Sequence, residues 1–341
     1  MKIFIDIGHP AHVHYFKNFI KIMNEKGARF FITARDKDVT HYLLNYYNIE
    51  FYSRGKGRKG YLGKLIYIFE ADYKILKYAK QFKPDLFLSF GSAYAAHVSK
   101  ILGKPHIAFD DTDHAKYEHM MYVPFTDYIH TPEVYLKNFG KKHFRFKGIM
   151  ELSYLHPNYF IHELSIEETG KKNIIIRIVK WEASHDFGYK RDNYKGLVNF
   201  IKDISSEYRV LISSEGEPPE ILRKYYYNIK PEKLHSYLKN AVLYIGESGT
   251  IANECALLGT INILVNPIAK FVGVHQYLYK NGLQEYYDNF EYAIPRVYSL
   301  MKEIEKKRKE VESRSKLFIS NHEDITQYMI NTIHKVLFKG V

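Results

Sequence analysis

The sequence predicts an α/β protein made of two doubly wound, Rossmann-like domains facing each other across a cleft, and three observations carry that expectation. The chain has 341 residues, more than one hydrophobic core usually serves, so two domains of about 150 residues each are the natural division. Short, continuously apolar runs alternate with helix-length segments in two separate series, the rhythm of parallel strands joined by crossover helices that cover both sheet faces. Between the series lies "GIMELSYLHPNYFIHELSIEETGKK", which holds a proline and polar residues and has no strong period.

The first series supplies the strands "KIFIDIG" (2–8), "ARFFITA" (28–34), "DLFLSFG" (85–91), "HIAFDD" (106–111) and "DYIHTP" (127–132), and places a first domain at 1–150. Residues 151–172 form the expected connection. The second series, "NIIIRIV" (173–179), "YRVLISS" (208–214), "AVLYIG" (241–246) and "INILVN" (261–266), belongs to a second domain at 173–320. "SLMKEIEKKRKEVESRSKLF" (299–318) reads as a charged helix and "ITQYMINTIHKVLF" (325–338) as an amphipathic one. The segment 321–341 is expected to pack back on the first domain. In doubly wound domains ligands bind at the carboxyl ends of the strands, which directs attention to the turns that follow them.

Composition narrows the partners. Apolar residues make up 46% of the chain and no uncharged apolar window of about 18 residues occurs, so no spanning helix is expected. "MKIFIDIG" enters a strand directly, without the basic and apolar regions of a signal peptide, and the lone Cys255 fits a reducing compartment. Together these give a cytoplasmic expectation. The formal charge of +12 favours an anionic partner. Zinc-finger spacing, an aromatic RNA-binding signature and a basic heptad are all missing, which argues against nucleic acid. The run "SRGKGRKGYLGKLIYIF" (53–69) gathers Arg54, Lys56, Arg58, Lys59 and Lys64 ahead of an apolar segment. It reads either as an anionic membrane face, with the protein peripheral on the inner side of the membrane, or as a solvated loop before a core helix.

The densest chemistry lies in "YIGESGTIANECALLGTINILVN" (244–266): a strand, the turn "GESGT", a helix, a glycine turn and another strand. Ser248, Gly249 and Thr250 fall at the helix amino terminus, where unpaired N–H groups and the dipole favour phosphate. Glu254 stands one turn further on, where a carboxylate suits a ribose diol. The plainer reading is a capped helix with a solvated glutamate. Arg177 interrupts an apolar strand, as a diphosphate contact or as half of an ion pair.

This 23-residue pattern resembles the donor-nucleotide half of GT-B glycosyltransferases and of the non-hydrolysing UDP-N-acetylglucosamine 2-epimerases. More closely, the chain resembles a GT-B-like family of unknown function through "DIGHPAHVHYFK", "FITARD", "FDDTDHA", "IIIRIVKWEASHD", "ISSEGE", "IKPEKLHSYL" and "GESGTIANECALLGT". The resemblance implies two facing domains, a UDP-linked sugar as donor substrate and no required cofactor or metal. It places Arg177, Ile229, Glu247, Ser248, Gly249, Thr250 and Glu254 on the donor, with Ile229 meeting the base through its main chain. The epimerases carry two consecutive glutamates after their turn, whereas "SGTIANE" offers only Glu254.

"DIGHPAHVHYFKNF" carries His9, His12 and His14 on a strand-to-helix turn. Zinc needs convergent ligands, and a turn with Pro10 sends these rings apart. By resemblance to the lipid II-forming N-acetylglucosaminyltransferase, His12 takes the place of a Gly-His turn and implies a general base; the alternative is a histidine that orders the turn. "DDTDHA" (110–115) follows a strand, and Asp113 and His114 are assigned to proton handling or acceptor binding. His9, His14, Gly91, Ser92 and His185 complete the acceptor side, while "SHD" (184–186) is too contiguous for a triad. The expected function is transfer of a sugar to a surface-glycan or lipid-linked acceptor. The alternatives are a 2-epimerase and a non-catalytic nucleotide-sugar or glycan-binding protein.

Overall fold

The computed structural model describes residues 1–58, 60–163, 172–179 and 194–339. The chain forms two compact units, Met1–Tyr159 with Glu323–Val341, and Phe160–His322. Both are parallel sheets with alternating helices, so the protein is α/β with two Rossmann-like domains.

The first unit runs β1 (Lys2–Ile7), α1 (Pro10–Glu25), β2 (Arg29–Arg35), α2 (Thr40–Tyr46), β3 (Tyr52–Gly55), α3 (Tyr61–Phe82), β4 (Leu86–Phe90), α4 (Ala93–Ile101), β5 (His106–Phe109), α5 (Lys116–Tyr122), β6 (Tyr128–Pro132), β7 (His143–Phe146) and α6 (Leu152–Leu155). Its strand order is β3-β2-β1-β4-β5-β6-β7. Chain order reverses between β1 and β4, whose carboxyl ends therefore flank a switch point. β1 is buried from Ile3 to Ile7 because sheet neighbours and helices enclose it, which is why those residues are apolar apart from Asp6.

The second unit runs β8 (Lys172–Ile178), α7 (Lys195–Ile204), β9 (Tyr208–Ser214), α8 (Leu234–Asn240), β10 (Leu243–Gly246), α9 (Gly249–Leu258), β11 (Ile261–Val265), α10 (Gly273–Lys280), β12 (Glu285–Tyr287), α11 (Phe290–Met301) and α12 (Ile304–Ser320). Its order is β12-β11-β10-β8-β9, with the switch between β8 and β10. Ile174, Ile176, Leu243, Ile245 and Ile263 from three neighbouring strands pack with Leu197 and Ile201 of α7. Truncating one such side chain to alanine costs about 2–5 kcal/mol. The chain then returns to the first unit, where α13 (Ile325–His334) packs against α1 and α6 and the Thr326 hydroxyl donates to the Ser153 carbonyl.

All nine strands expected from apolar runs are present within two residues of their expected limits. The three that apolar runs do not reveal, β3, β7 and β12, are sheet edges. An edge strand is covered less, so "YSRG", "HFRF" and "EYY" need no unbroken apolar run.

Arg54 requires a correction to the reading of 53–69 as a uniformly exposed basic run. It is buried, and its Nε donates to Asp6 Oδ1 at 2.9 Å. A charge removed from water at the end of β3 is stable only with a partner, and Asp6 on β1 supplies it. Arg58 is also paired, with Glu70. Lys59 lies outside the described residues.

Candidate functional site

The second unit builds its site at the β8/β10 switch point. Arg177 on β8 stands in register with Gly246 on β10, and the strands approach so closely that a side chain at 246 is excluded: a Cβ there would lie 2.7 Å from the Arg177 carbonyl oxygen. The chain next turns into α9. Ser248 caps that helix, its hydroxyl accepting the Ile251 N–H at 3.4 Å. Gly249 and Thr250 follow as the first two helical residues, whose N–H groups have no intrahelical acceptor. Gly249 has a steric reason as well, since a Cβ would lie 2.8 Å from His275 Nε2.

Arg177 is oriented toward this edge by the strand beside it. Its guanidinium donates to Ser213 Oγ at 2.5 Å and meets Glu215 Oε1 at 3.4 Å. Its buried Nε has no hydrogen-bond partner among the described residues. Arg177 is thus ion-paired, as one of its two readings expected, and its Nε keeps donor capacity at the switch point.

The Glu247 carboxylate does not suit the donor contact expected of it. It is buried, accepts the Val179 N–H at 2.8 Å and the Tyr194 hydroxyl at 3.1 Å, and so braces the chain leaving β8. An anion committed to those donors would only repel a phosphate. Glu254 is also buried, and its Oε1 lies 3.0 Å from His235 Nε2 of α8. Glu254, the residue expected at a ribose, thus has a histidine partner that the sequence motif did not include. Ile229 is buried in the segment ahead of α8, its N–H donating to the Tyr227 carbonyl.

His275 was not anticipated. Its Nδ1 lies 3.0 Å from Gln284 Oε1, and Gln284 Nε2 donates to Asn253 Oδ1 at 3.3 Å. This chain of bonds puts the ring proton on Nδ1 and turns Nε2 toward Gly249. The signal available in the sequence was "GVHQ" (273–276), a histidine just inside a helix that follows a strand. His185 and the rest of "SHD" lie outside the described residues.

In the first unit, Gly8, His12, Gly91, Ser92, Asp110 and Asp111 occupy the carboxyl edge of β1, β4 and β5. The three early histidines do not all spread apart as expected: the His9 and His12 rings lie 5.9 Å from each other, and His14 turns away. His9 caps α1, its Nδ1 accepting the Ala11 N–H, whereas His14 is buried and stacks on Tyr154 with centroids 5.2 Å apart. His12 Nδ1 accepts the Gly8 N–H at 3.3 Å, and its ring packs on Phe90. Burial first, then Lys37 and Arg54, lower its pKa from 6.5 to about 3. The imidazole is therefore neutral, its single lone pair is engaged, and Nε2 carries the proton. The general-base role expected of His12 is corrected accordingly: the ring orders the turn and presents a donor.

Ser92 is consumed as well, donating to Asp6 Oδ2 at 2.5 Å and accepting the Ala95 N–H at 3.3 Å. Asp6 also accepts from Thr33 and Arg54, so a fully bonded carboxylate underlies the turn. Gly91 adopts φ +56°, the left-handed region in which glycine avoids strain, and starts the turn into α4.

The acidic loop after β5 divides its labour. Asp110 accepts from Tyr122, His119, Tyr135 and the Thr112 N–H, at distances between 2.5 and 3.2 Å. Asp113 is buried and its Oδ1 accepts the Leu136 N–H at 2.5 Å. Its expected catalytic role is corrected to that of a loop fastener, with His114 half-buried beside it. Asp111 differs. It is only half-buried, takes hydrogen bonds from Thr112 Oγ1 at 3.1 Å and Tyr15 at 3.5 Å, and has a pKa raised to about 7 by burial and then by Asp110. That value suits proton transfer near neutrality. Among the described residues, no three His, Cys, Asp or Glu side chains converge as a metal ligand set.

Comparison with known proteins extends the description. A family model described as a protein of unknown function (DUF354) matches residues 1–336. An uncharacterized protein of Methanocaldococcus jannaschii, MJ0665, is 27% identical over 293 residues, covering 82% of this chain and 85% of its own. A Listeria monocytogenes structure assigned as a UDP-N-acetylglucosamine 2-epimerase superposes with TM-score 0.77 at 12% identity, over 100% of this chain and 97% of that one. The UDP-GlcNAc 2-epimerase of M. jannaschii, in complex with UDP-GlcNAc and UDP, gives 0.66 at 16% identity over 87% and 92%. The spinosyn forosaminyltransferase SpnP gives 0.66 at 11% identity over 98% of each chain. At these identities the superpositions show a shared fold.

Proposed function

The chain belongs to the DUF354 family of unknown function, and from that premise we propose that it is a glycosyltransferase that moves a sugar from a UDP-linked donor to a surface-glycan or lipid-linked acceptor. The observation that carries this reading is the β8/β10 switch point, where Arg177 stands in register with Gly246, three residues ahead of Gly249 at the start of α9. Helix-terminal N–H groups and a guanidinium are preorganised donors for the negative charge that develops on a departing diphosphate. Glu254 would meet the ribose, and Ile229 the base through its backbone. The M. jannaschii epimerase complexed with UDP-GlcNAc and UDP supports a nucleotide-sugar ligand for this fold.

The acceptor would be held by the first unit, where Asp111 takes the base role first expected of His12. Its carboxylate would remove the acceptor hydroxyl proton as that oxygen attacks the anomeric carbon, the donor's C–O bond breaks and UDP leaves. Nε2–H of His12 would hydrogen-bond the acceptor. Neither metal nor cofactor is assigned a part.

The observation favouring a second reading, the 2-epimerase, is the superposition at TM-score 0.77. Against it, the sequence offers one glutamate after the turn, and Glu254 is bonded to His235. Incubation with a UDP-sugar panel, with and without candidate glycan and polyprenyl-phosphate acceptors, separates the readings by mass spectrometry. UDP release that requires an acceptor supports transfer. A mass-neutral change of the UDP-sugar without acceptor would replace transfer by epimerisation, and saturable binding with neither reaction would leave a binding protein.

A further inference from the structure

Helix α3 is apolar on two opposite sides. Tyr67, Ala71, Ile75 and Ala79 are buried against the first sheet and α4, and they account for one face. Leu62, Leu65, Ile66, Phe69 and Tyr73 recur at helical spacing on the opposite face. There Leu62 is 74%, Phe69 75% and Tyr73 69% exposed. A contiguous outward stripe of this size marks a surface that is covered in use.

The charges around the stripe indicate what covers it. Lys77 and Lys80 continue the same outward side toward the helix carboxyl end, and Lys56 and Lys64 lie near its amino end, all exposed. The nearby acids are engaged, Glu70 with Arg58 and Asp72 with His97. A second copy is disfavoured by these charges. Parallel pairing through the stripe sets Lys77 and Lys80 of one helix against the same residues of the other. An anionic surface meets the same cations favourably. α3 is not long and apolar enough to cross a membrane, so it suits an orientation in the interfacial plane.

We propose that the outward face of α3, Leu62 to Lys80, docks this protein on an anionic lipid surface. The apolar stripe enters the headgroup boundary while Lys77 and Lys80 meet the lipid charge. This moves the contact away from the loop at 53–58, since Arg54 is committed to Asp6. It is independent of the reaction catalysed, so failure of the transferase reading leaves it standing and its own failure leaves that reading intact.

The test is sedimentation of the full chain with phosphatidylglycerol vesicles and with phosphatidylcholine vesicles, alongside analytical ultracentrifugation without lipid. Expected are binding to the phosphatidylglycerol vesicles that weakens with salt, and at least about tenfold weaker partition for both Ile66→Ser/Phe69→Ser and Lys77→Glu/Lys80→Glu. Both variants should keep the wild-type Tm, because all four side chains are exposed. Wild-type protein that ignores phosphatidylglycerol vesicles would overturn the proposal, as would variants that bind equally well. A lipid-indifferent dimer dissociated by Ile66→Ser/Phe69→Ser would assign the face to a second copy instead.

Discussion

Both units place a switch point beside their first strand, between β1 and β4 and between β8 and β10, and finish it with different chemistry. At the end of β1 and β4, Asp6 is saturated by Arg54, Thr33 and Ser92, and after β5 Asp110 is saturated by two tyrosines, a histidine and a backbone N–H. Among the described side chains of this edge, Asp111 and the Nε2–H of His12 are the groups proposed to meet a substrate. At β8 and β10 the edge is donor-rich: helix N–H groups at Gly249 and Thr250, and Arg177 with a buried Nε that no described group accepts from. At the first edge the carboxylates of Asp6 and Asp110 are committed to internal partners, and Asp111 is the one proposed as proton acceptor. Donors left unmet among the described residues of the second edge favour whatever completes them, which is the basis of the anion site proposed there.

Removing the proton acceptor should have the largest effect. Asp111→Asn is expected to lower turnover by about 10²–10⁴-fold with the authentic acceptor, with UDP-sugar affinity little changed. The same variant has a stability signature. The Asp111 pKa is raised in the folded state, so the native protein binds more protons than the unfolded chain between the ordinary carboxylate value of 3.8 and about 7. Wild-type stability therefore declines as pH rises through that window. Melting curves should show Asp111→Asn a few degrees more stable than wild type at pH 8 and equal to it near pH 4. A loss of stability at pH 8 would mean the carboxylate is structural.

Next in size is the donor edge. Arg177→Ala removes a charge-assisted contact worth about 1.5–3 kcal/mol, so calorimetry should show UDP affinity about 10- to 100-fold weaker. Smaller still is His12. As a donor that orders its turn, His12→Gln should cost under about tenfold in kcat, and the pH–rate profile should still rise near 7 as Asp111 deprotonates. If His12→Gln abolished turnover and moved that limb, His12 would regain the base role. Ile229→Ala should be nearly silent toward UDP, because the proposed contact is made by the main chain.

The same contrast explains what was legible in the sequence. Buried parallel strands such as "NIIIRIV" and "INILVN" announce themselves because both faces are covered, and edge strands such as β3 do not. The "GESGT" turn was readable because a strand, a glycine turn and a helix lie in continuous sequence. The acidic edge was not, because its meaning depends on partners far apart in the chain: Asp6 with Arg54, 48 residues away, and Asp110 with Tyr135, 25 residues away. Asp111 and Asp113 look equivalent in "DDTDHA", and it is the bond from the Leu136 N–H that singles out Asp113 as the fastener. His235 and His275 were missed for the same reason, each gaining its role from contact with α9 rather than from its neighbours in sequence.

The central claim is a nucleotide-diphosphate site at the amino terminus of α9. Its most direct test is a thermal-shift titration with UDP and UDP-sugars on wild type and Arg177→Ala. A ligand at 100 times its dissociation constant adds about 2.7 kcal/mol, so wild-type Tm should rise by several degrees with UDP, and Arg177→Ala should need at least about tenfold more ligand for the same shift. Folded wild-type protein that shifts with none of them, or an Arg177→Ala curve that overlays wild type, would contradict the claim.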